Sequence, residues 1–297
     1  MPELPEVETV RRQLAPHVEG RTISAVRIDD PRWCAPQDAA EVEERLTGRT
    51  IAALGRRGKH LIASLDDGQQ LLMHLRMTGI ILWDPDDGAP YERVRIHFGD
   101  AHAIAFCDPR RFGTGLLLPD EAARDEYLDA RLGPEPLDPA VFTDDVVARV
   151  LRGRDAPVKG ILLDQTKIAG IGNIYADEAL FRAGIHPARP GRMVKRAQIG
   201  PLREGIVESL QMGIASGGAS IDDFRHLDGA RGSFQDDFLV HRREGLPCPD
   251  CGHEITKLVV AGRGTYVCEV CQPPPRSMPR SARPVKSRKS TPVKPAE

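Results

Sequence analysis

The sequence predicts an α+β fold, with an antiparallel β-sandwich in the first half and helices in the second. Short apolar runs between turn residues fill positions 22–118, a pattern typical of antiparallel sheets. Beyond residue 133 the apolar residues recur at helical spacing, with proline and glycine between the runs. Near the end, two Cys-x2-Cys pairs stand sixteen residues apart, the spacing of a small zinc-binding ribbon.

Length and composition agree with this division. A chain of 297 residues that is 40% hydrophobic is long enough for two domains that each bury a core. No run approaches the ~20 apolar residues of a bilayer span, and the first residues lack the features of a signal peptide. We therefore expect a cytoplasmic protein without a membrane partner. The net charge of −2 gives no support to nucleic-acid binding, so only local basic clusters can make that case.

The first domain, residues 1–132, is expected to begin with a helix and to continue as strands. Val7, Val10 and Leu14 recur at helical spacing, and Pro5 suits the first turn of a helix. A further flanking helix is expected at 38–46. The expected strands lie at 22–28, 49–54, 59–65, 69–77, 93–98 and 103–108.

The second domain, residues 133–235, is expected to be helical, and the segment 119–139 is expected to join the two domains. The expected helices lie at 144–151, 157–164, 173–183 and 197–215. Residues 217–235 form a glycine-rich stretch long enough to predict a binding loop. The ribbon is placed at 236–272. Residues 273–297 are rich in proline, serine and basic residues, and we expect a disordered basic tail.

The four clustered cysteines predict a structural metal site. Cys248, Cys251, Cys268 and Cys271 can all face one tetrahedral zinc ion, whereas a pair of disulfides is disfavoured in a cytosolic chain. Four thiolates leave no open position, so the ion has a structural role. We expect one Zn²⁺ and no organic cofactor. The hairpin between the pairs presents Arg263 at its tip.

The first residues permit an unusual nucleophile. A small second residue usually allows removal of Met1, and Pro2 would then carry an α-amine with a pKa near ~8, against ~10.4 for lysine. Its neutral form can attack an electrophilic carbon and form an iminium ion. Glu3 and Glu6 are candidate acids or bases beside it. The alternative, a helix N-terminus with Pro5 in its first turn, is favoured by these residues alone.

Six motifs, in order, support the catalytic interpretation. They are PELPEVETVRR at 2–12, RRGKHL at 56–61, HLRMTG at 74–79, DPRRFG at 108–113, AGIGNIYADEALFRAGIHP at 169–187 and GRGTYVCEVCQ at 262–272. From residue 2 to about 272 the chain resembles the bacterial formamidopyrimidine-DNA glycosylases. The endonuclease VIII branch shares the lysine motif and the zinc ribbon, but its opening differs.

The resemblance implies a monomeric, bifunctional DNA glycosylase and AP lyase of base excision repair that acts on damaged double-stranded DNA. Its substrates are oxidised purines, namely 8-oxoguanine and formamidopyrimidines, which must be flipped out of the stack. The Pro2 amine attacks C1′ while Glu3 acts as an acid on the sugar, and a Schiff base and β,δ-elimination follow. Lys59 serves β-elimination, Glu6 supports the site, and Arg263 contacts the DNA backbone and serves δ-elimination.

The resemblance also implies a DNA-binding surface. Met77, Arg110 and Phe112 fill the gap left by the flipped base, although each alone reads better as a core or turn residue. A helix-two-turn-helix at TKIAGIGN brings glycine backbone close to phosphate, with Asn173 as the expected N-cap. Further DNA contacts are expected from basic residues and from the position of a common histidine: Arg154, Lys159 and Tyr91.

The chain departs from the family pattern in three places. Asp222 stands where several relatives have a cation near the lesion, and His241 and Arg242 replace a tyrosine and a glycine. Tyr91 replaces the common histidine. The first departure leaves the preferred lesion open. The tail has no family counterpart, and we expect its charge to strengthen non-specific DNA binding in a salt-dependent way.

Two other functions remain open at this point. One is a zinc-ribbon protein that binds damaged DNA without chemistry; Pro2 and Lys59 argue against it, because a binding protein has no use for an amine nucleophile. The other is an endonuclease VIII-like glycosylase for oxidised pyrimidines. Borohydride trapping distinguishes a damage-binding protein from an enzyme. The lesions that the enzyme excises distinguish an oxidised-pyrimidine glycosylase from an oxidised-purine one.

Overall fold

The first domain is a two-layer antiparallel β-structure flanked by helices. A computed structural model describes residues 1–99, 101–221 and 224–276, and the backbone of 282–284. In this domain the helices are α1 (Leu4–Val18), α2 (Ala39–Leu46) and α3 (Glu121–Asp129). The strands are β1 (Ile23–Ile28), β2 (Ile51–Arg57), β3 (His60–Leu65), β4 (Gln70–His74), β5 (Ile80–Trp83), β6 (Glu92–Phe98), β7 (Ala103–Cys107) and β8 (Thr114–Leu118).

The strands form two four-stranded sheets in the orders β1-β6-β7-β5 and β2-β3-β4-β8. Their facing sides, together with α1 and α2, enclose the first hydrophobic core. The expected sandwich is therefore confirmed. Two strands, β5 and β8, were not expected from the sequence. Helix α3 lies inside the expected linker, where the Asp120 carboxylate accepts the backbone N–H of Ala123 and caps its start.

The second domain is a helical unit around its own core. Its helices are α4 (Asp144–Leu151), α5 (Val158–Leu163), α6 (Asn173–Arg182) and α7 (Ile199–Ala215). Each coincides within two residues with an expected helix. Leu4, at the start of α1, packs into this second core, and the backbone N–H of Leu4 donates to Gly170 O at 3.0 Å. The beginning of the chain is thus held between the two domains.

The segment after α7 returns to the first domain. Phe224 and Leu227 pack into the first core, and the backbone N–H of Trp83 donates to Leu227 O at 3.1 Å. The glycine-rich stretch that we placed in the second domain therefore bridges both domains. Residues of this stretch line one side of the cleft described below.

The ribbon contains the strands β9 (Thr256–Val260), β10 (Arg263–Val267) and β11 (Ala282–Pro284), in the order β10-β9-β11. The hairpin of β9 and β10 was expected. Strand β11 corrects the expectation that the whole of 273–297 is disordered, because its backbone pairs antiparallel with β9. The rest of the tail beyond residue 276 lies outside the described residues. Among the helices that the structure describes, we find none with the length and apolarity to cross a membrane.

Candidate active site

A cleft of about 230 Å³ lies where the start of α1, strand β3, the turn before α6 and the ribbon hairpin meet. It collects residues that the sequence places far apart. Among those lining it are Met1, Glu3, Lys59, Met77, Asn173, His241, Arg242 and Arg263. Three of the five expected catalytic residues thus share one cavity, and the other two, Pro2 and Glu6, are buried beside Glu3 in the chain.

The Glu3 carboxylate is fixed at the N-terminus of α6. It accepts the backbone N–H of Ile174 at 3.0 Å and that of Tyr175 at 3.5 Å. Free N–H groups at a helix N-terminus favour a negative charge there. Gly172 makes this approach possible, since a Cβ at that position would lie 2.2 Å from Glu3 Cδ. The glycine-rich turn, which was expected to approach phosphate, therefore binds the carboxylate of Glu3 in this structure.

Glu6 ties three segments together beneath Glu3. One carboxylate oxygen accepts the Glu3 backbone N–H at 2.8 Å, and the other accepts the Tyr175 hydroxyl at 2.7 Å and the Ala219 N–H at 2.8 Å. Burial raises the pKa of Glu6, and the nearby charge of Glu3 adds to the rise. Glu6 thus supports both the chain start and the loop after α7.

Lys59 brings an ammonium group to the cleft wall, where it donates to Ile171 O at 2.9 Å. Burial lowers the pKa of Lys59, while the carboxylates of Glu3 and Glu6 oppose the shift and Arg263 adds to it. A lowered pKa increases the neutral fraction that can accept a proton.

The turn before Lys59 is held by an ion-pair cluster that sequence reasoning missed. Gly58 adopts a φ of 55°, donates its N–H to Glu135 at 2.9 Å and accepts from Arg56 at 2.9 Å. Arg56 also pairs with Glu135 at 2.7 Å and with Glu8 at 3.1 Å. The linker between the domains thereby fixes the lysine turn. No local pattern marks Glu135, because its partners lie 77 residues away or more in the chain.

Pro2 is buried at the entrance to α1, and Met1, 46% exposed, lines the cleft in front of it. With Met1 attached, the nitrogen of Pro2 is an amide and is not nucleophilic. Removal of Met1 would leave a secondary amine at the cleft.

Arg263 is presented by the ribbon hairpin, whose backbone is clamped from α5 and α6. Lys159 donates to Gly264 O at 3.0 Å and to Thr265 Oγ1 at 2.8 Å, and Asn173 donates to Gly264 O at 3.0 Å. These bonds fix the strand that begins with Arg263.

Two expectations in this region need correction. Lys159 has no exposed surface and its ammonium pairs with Asp177 at 2.7 Å, so in this conformation it does not reach phosphate. Asn173 is the first residue of α6 and not its cap, which is Gly172. The Asn173 side chain instead donates a hydrogen bond to the ribbon hairpin.

The acidic pair Asp177 and Glu178 is a second feature that we missed. Glu178 accepts the backbone N–H groups of Leu239, Val240 and His241, each at about 3.0 Å. His241 Nδ1 lies 2.9 Å from Asp177 Oδ2. The sequence does contain a clue to this pair, because two acidic residues stand among the apolar residues of the expected helix. Arg242 lines the cleft with a φ of 58°, a conformation that suits the glycine usual in the family.

The three expected gap-filling residues form one cluster at the edge of the cleft. Arg110 Nη1 donates to Met77 Sδ at 3.4 Å, and its guanidinium lies 4.8 Å from the centre of the Phe112 ring. Phe112 is 49% exposed, so its ring is accessible to a partner at the edge of the cleft.

Asp108 shapes the loop that carries this cluster, and sequence reasoning did not identify it. Its two carboxylate oxygens accept the backbone N–H groups of Arg110, Phe112 and Gly113 at 2.7–3.1 Å, together with the Thr78 hydroxyl. Asp108 itself is fully buried. One carboxylate thus joins the loop of Phe112 to the loop of Met77.

The remaining expected DNA contacts lie outside the cleft. Tyr91 is 60% exposed, with a φ of 61°, and its carbonyl accepts the Asp108 N–H at 2.9 Å. Arg154 is exposed after α4, where it donates to Val150 O at 2.7 Å and borders a groove shared with Lys167. Asp222 lies outside the described residues.

The four cysteines converge as a metal site. All four sulfur atoms lie within 4.8 Å of one another, and the pairs Cys248–Cys271 and Cys251–Cys268 are 3.8 and 3.5 Å apart. A tetrahedron with Zn–S bonds of ~2.3 Å has edges of ~3.8 Å. The donor set therefore fits one structural zinc ion, held by Cys248, Cys251, Cys268 and Cys271.

Three family models match consecutive parts of the chain. They are the formamidopyrimidine-DNA glycosylase N-terminal domain at 1–115, the H2TH domain of the same enzymes at 132–225, and the zinc finger found in FPG and IleRS at 245–274. The chain belongs to the formamidopyrimidine-DNA glycosylase family. Its recognition from the six motifs is confirmed, as are the helix-two-turn-helix domain and the zinc ribbon.

Members of this family match over nearly their whole length. The formamidopyrimidine-DNA glycosylases of Chloroflexus aggregans and Roseiflexus are 45% and 42% identical over 92% of this chain and 98% and 100% of their own. A Lactococcus lactis Fpg structure with abasic-site DNA has a TM-score of 0.85 at 36% identity, covering 92% of this chain and 100% of that one. A Thermus thermophilus MutM (Fpg) structure has a TM-score of 0.82 at 41% identity, with coverage of 91% and 98%.

Proposed function

We propose that this DNA glycosylase of base excision repair removes oxidised purines and then cuts the strand through a Schiff base on Pro2. The observation that carries the proposal is the cleft itself. It brings the start of the chain together with a carboxylate, a lysine of lowered pKa and an arginine, although these groups come from distant parts of the first domain and from the ribbon.

The proposed chemistry begins once Met1 is removed. The Pro2 nitrogen attacks C1′, the bond from C1′ to the base breaks, and ring opening of the sugar gives an iminium ion. Glu3 stands next in the chain, held by α6, and is suited to proton transfer to the sugar oxygen. The base leaves with a proton from the site or from water.

Strand cutting follows from the same intermediate. The neutral form of Lys59 can remove a proton from C2′, after which the 3′ phosphate leaves in β-elimination. A second elimination releases the 5′ phosphate. Arg263, across the cleft, is suited to hold the departing phosphates through charge-assisted hydrogen bonds.

The exposed cluster of Met77, Arg110 and Phe112 supports a role in base flipping. An arginine beside an exposed aromatic ring can occupy the gap in the stack and hydrogen-bond the unpaired base. The Asp108 network would keep the cluster in place while the duplex is kinked.

Oxidised pyrimidines are a second substrate class to consider. Similar Lactococcus lactis structures contain Fapy-dG DNA in one case and oxidised-pyrimidine DNA in another. We expect faster excision of 8-oxoguanine and formamidopyrimidine than of thymine glycol from matched duplexes under single-turnover conditions. The reverse order would replace the purine assignment with the pyrimidine one.

Borohydride trapping tests the chemistry. Mass spectrometry first establishes that Met1 is absent from the purified zinc-loaded protein. Incubation with an 8-oxoguanine duplex and borohydride should then give a covalent adduct, which Pro2→Gly should reduce severely. As a control, Pro2→Gly should still bind a duplex with an abasic-site analogue. Binding without an adduct in the native chain would contradict the proposed enzyme and favour a damage-binding protein.

A further inference from the structure

Arg242 has a strained backbone at the wall of the cleft. Its φ of 58° lies in the left-handed region, where a Cβ crowds the neighbouring carbonyl oxygen and glycine is favoured. This chain nevertheless has an arginine there. Strain of this kind persists where the surrounding structure holds the residue in place, and it is concentrated at functional sites. The use of the Arg242 side chain is therefore worth identifying.

Two buried acids of α6 fix the residue before Arg242. Glu178 accepts the backbone N–H of His241 at 2.9 Å. His241 Nδ1 lies 2.9 Å from Asp177 Oδ2, which also accepts the backbone N–H of Tyr266 at 3.4 Å. Both the backbone and the side chain of His241 are thus held, so the conformation of Arg242 is imposed by its surroundings.

The same contacts place this segment against the strand of Arg263. The His241 ring packs edge-on against the ring of Tyr266, with the ring centres 5.0 Å apart. Tyr266 belongs to β10, the strand that begins with Arg263. Arg242 and Arg263 are both exposed, and both line the cleft. Arg242 therefore adds a second guanidinium group to the ribbon side of the cleft.

Positive charge exceeds negative charge at the cleft wall. Of the lining residues in the described part of the chain, Lys59, Arg242 and Arg263 are basic, and Glu3 is the one carboxylate. The chain as a whole has a net charge of −2, so the excess is local. Burial lowers the pKa of Lys59, whereas an arginine keeps its charge at any ordinary pH. The two arginines thus supply the permanent positive charge, which attracts anions into a concave site.

The chemistry of a guanidinium group favours phosphate over an oxidised purine as its ligand. The group has five N–H donors and no acceptor, and its planar fork matches two oxygens of one phosphate. Arginine reads unmodified guanine through the acceptors O6 and N7. In 8-oxoguanine N7 carries a proton and becomes a donor, so that pairing is lost.

We propose that Arg242 binds a phosphate of the damaged strand next to the flipped nucleotide, alongside Arg263. The inference rests on the proposed function, because that function places a damaged strand in the cleft. Arg242 in this role holds the strand and takes no part in breaking bonds. It adds affinity whether or not a damaged base is present.

The first test measures binding of the zinc-loaded chain to a duplex with a tetrahydrofuran abasic-site analogue, which has no base to contact, across a salt series. Arg242→Gly suits the observed backbone conformation and removes the charge. It should weaken binding about tenfold or more at low salt and flatten the salt slope by about 0.9, the contribution of one phosphate contact. Arg242→Lys should keep the slope but lose part of the affinity, because lysine lacks the planar fork.

A matched control and neutral phosphates locate the contact. Arg196→Gln removes an exposed arginine before α7, outside the cleft lining, and should leave affinity and slope unchanged. Duplexes with a neutral methylphosphonate at single positions beside the analogue should include one that weakens the native chain but not Arg242→Gly, a non-additive effect. Each protein is compared with itself on two duplexes, so a change in the stability of Arg242→Gly does not affect the result.

Three outcomes would overturn the proposal. One is an unchanged salt slope in Arg242→Gly, and another is additive effects at every methylphosphonate position. The third is normal binding of the abasic duplex with slow excision of 8-oxoguanine, which would assign Arg242 to the damaged base.

These outcomes are separable from those of the proposed enzyme. Binding to the abasic analogue requires no Schiff base, and borohydride trapping of the native chain is measured independently. A native chain that gives no adduct, but whose slope depends on Arg242, would keep the phosphate contact and reject the enzyme. An adduct together with a slope that ignores Arg242 would keep the enzyme and reject the contact.

Discussion

At the scale of single residues, the cleft depends on how closely a few groups approach one another. Glu3 reaches the N–H groups of α6 only because position 172 has no side chain. The carboxylates of Glu3 and Glu6 attract the Lys59 ammonium, while burial lowers the pKa of Lys59. Small changes at such positions should therefore affect the chemistry more than the fold.

Gly172→Ala tests this approach. The added Cβ would lie 2.2 Å from Glu3 Cδ, so the carboxylate must leave the N–H groups of Ile174 and Tyr175. A displacement near 1 Å should slow single-turnover excision about a hundredfold. Gly55→Ala is the matched control, since a Cβ there meets nothing closer than 3.9 Å. Equal rates for both variants would contradict the role of Gly172.

The histidine pair His60 and His74 should make stability depend on pH. Their rings lie 4.6 Å apart, and burial lowers the pKa of His60 to about 4 and that of His74 to about 2. The folded state thus binds fewer protons than the unfolded state below the ordinary pKa of 6.5.

The contribution of these histidines should be complete above pH 6.5 and should decline as the pH falls toward 4. We expect the free energy of unfolding to drop by about 1–3 kcal/mol in that interval, measured by urea titration. In His74→Gln the drop should be smaller, with Glu41→Gln as a surface control. An unchanged pH profile in His74→Gln would refute the assignment.

At the scale of elements, buried carboxylates hold loops in functional shapes. Asp108 organises the loop between β7 and β8, and Glu178 organises the loop before the ribbon. The cluster of Arg56 and Glu135 does the same for the turn between β2 and β3. In each case a charged oxygen replaces the regular hydrogen bonds that a loop lacks.

Asp108→Asn should disturb the gap-filling cluster without removing it. Each carboxylate oxygen accepts two hydrogen bonds, and the amide nitrogen of asparagine cannot accept any. We expect a loss of about 1–3 kcal/mol in stability and weaker binding to lesion duplexes. Fluorescence of 2-aminopurine opposite or beside the lesion would report base flipping. Asp120→Asn, at the cap of α3, is the control and should flip the base normally.

At the scale of the whole molecule, function requires that three units meet. The start of α1 lies in the second core, the segment after α7 crosses to the first core, and the ribbon hairpin is clamped by α5 and α6. Loss of any one unit should open the cleft while leaving the others folded.

Removal of the zinc ion tests this dependence. In Cys248→Ser the ribbon should lose its metal and its fold, because binding a structural zinc supplies much of the folding free energy of such small units. Arg263 would leave the cleft, and strand cutting at a preformed abasic site should fall by about a hundredfold or more. Metal content and cutting rate are the measurements. Cys34→Ala is the control and should keep one zinc per chain; full cutting by the metal-free variant would contradict the role of the ribbon.

Local patterns in the sequence were sufficient for the elements and for the metal site. Helices α4 to α7, six of the eight strands of the sandwich and the four cysteines follow from spacing, which depends on a few neighbouring residues. Strands β5 and β8 were missed because their residue types, IILW and TGLLL, do not alternate between polar and apolar. The six sequence motifs were sufficient to identify the family.

The tertiary structure alone decided which residues meet. Glu3 and Ile174 are 171 positions apart, and Glu135 and Gly58 are 77 apart, so no periodicity links them. It also turned Lys159 from a surface cation into a buried clamp on the hairpin of Arg263, and part of the tail into β11. The physical reason is that burial and long-range pairing depend on the packing of both domains, whereas the sequence reports only what neighbouring residues prefer.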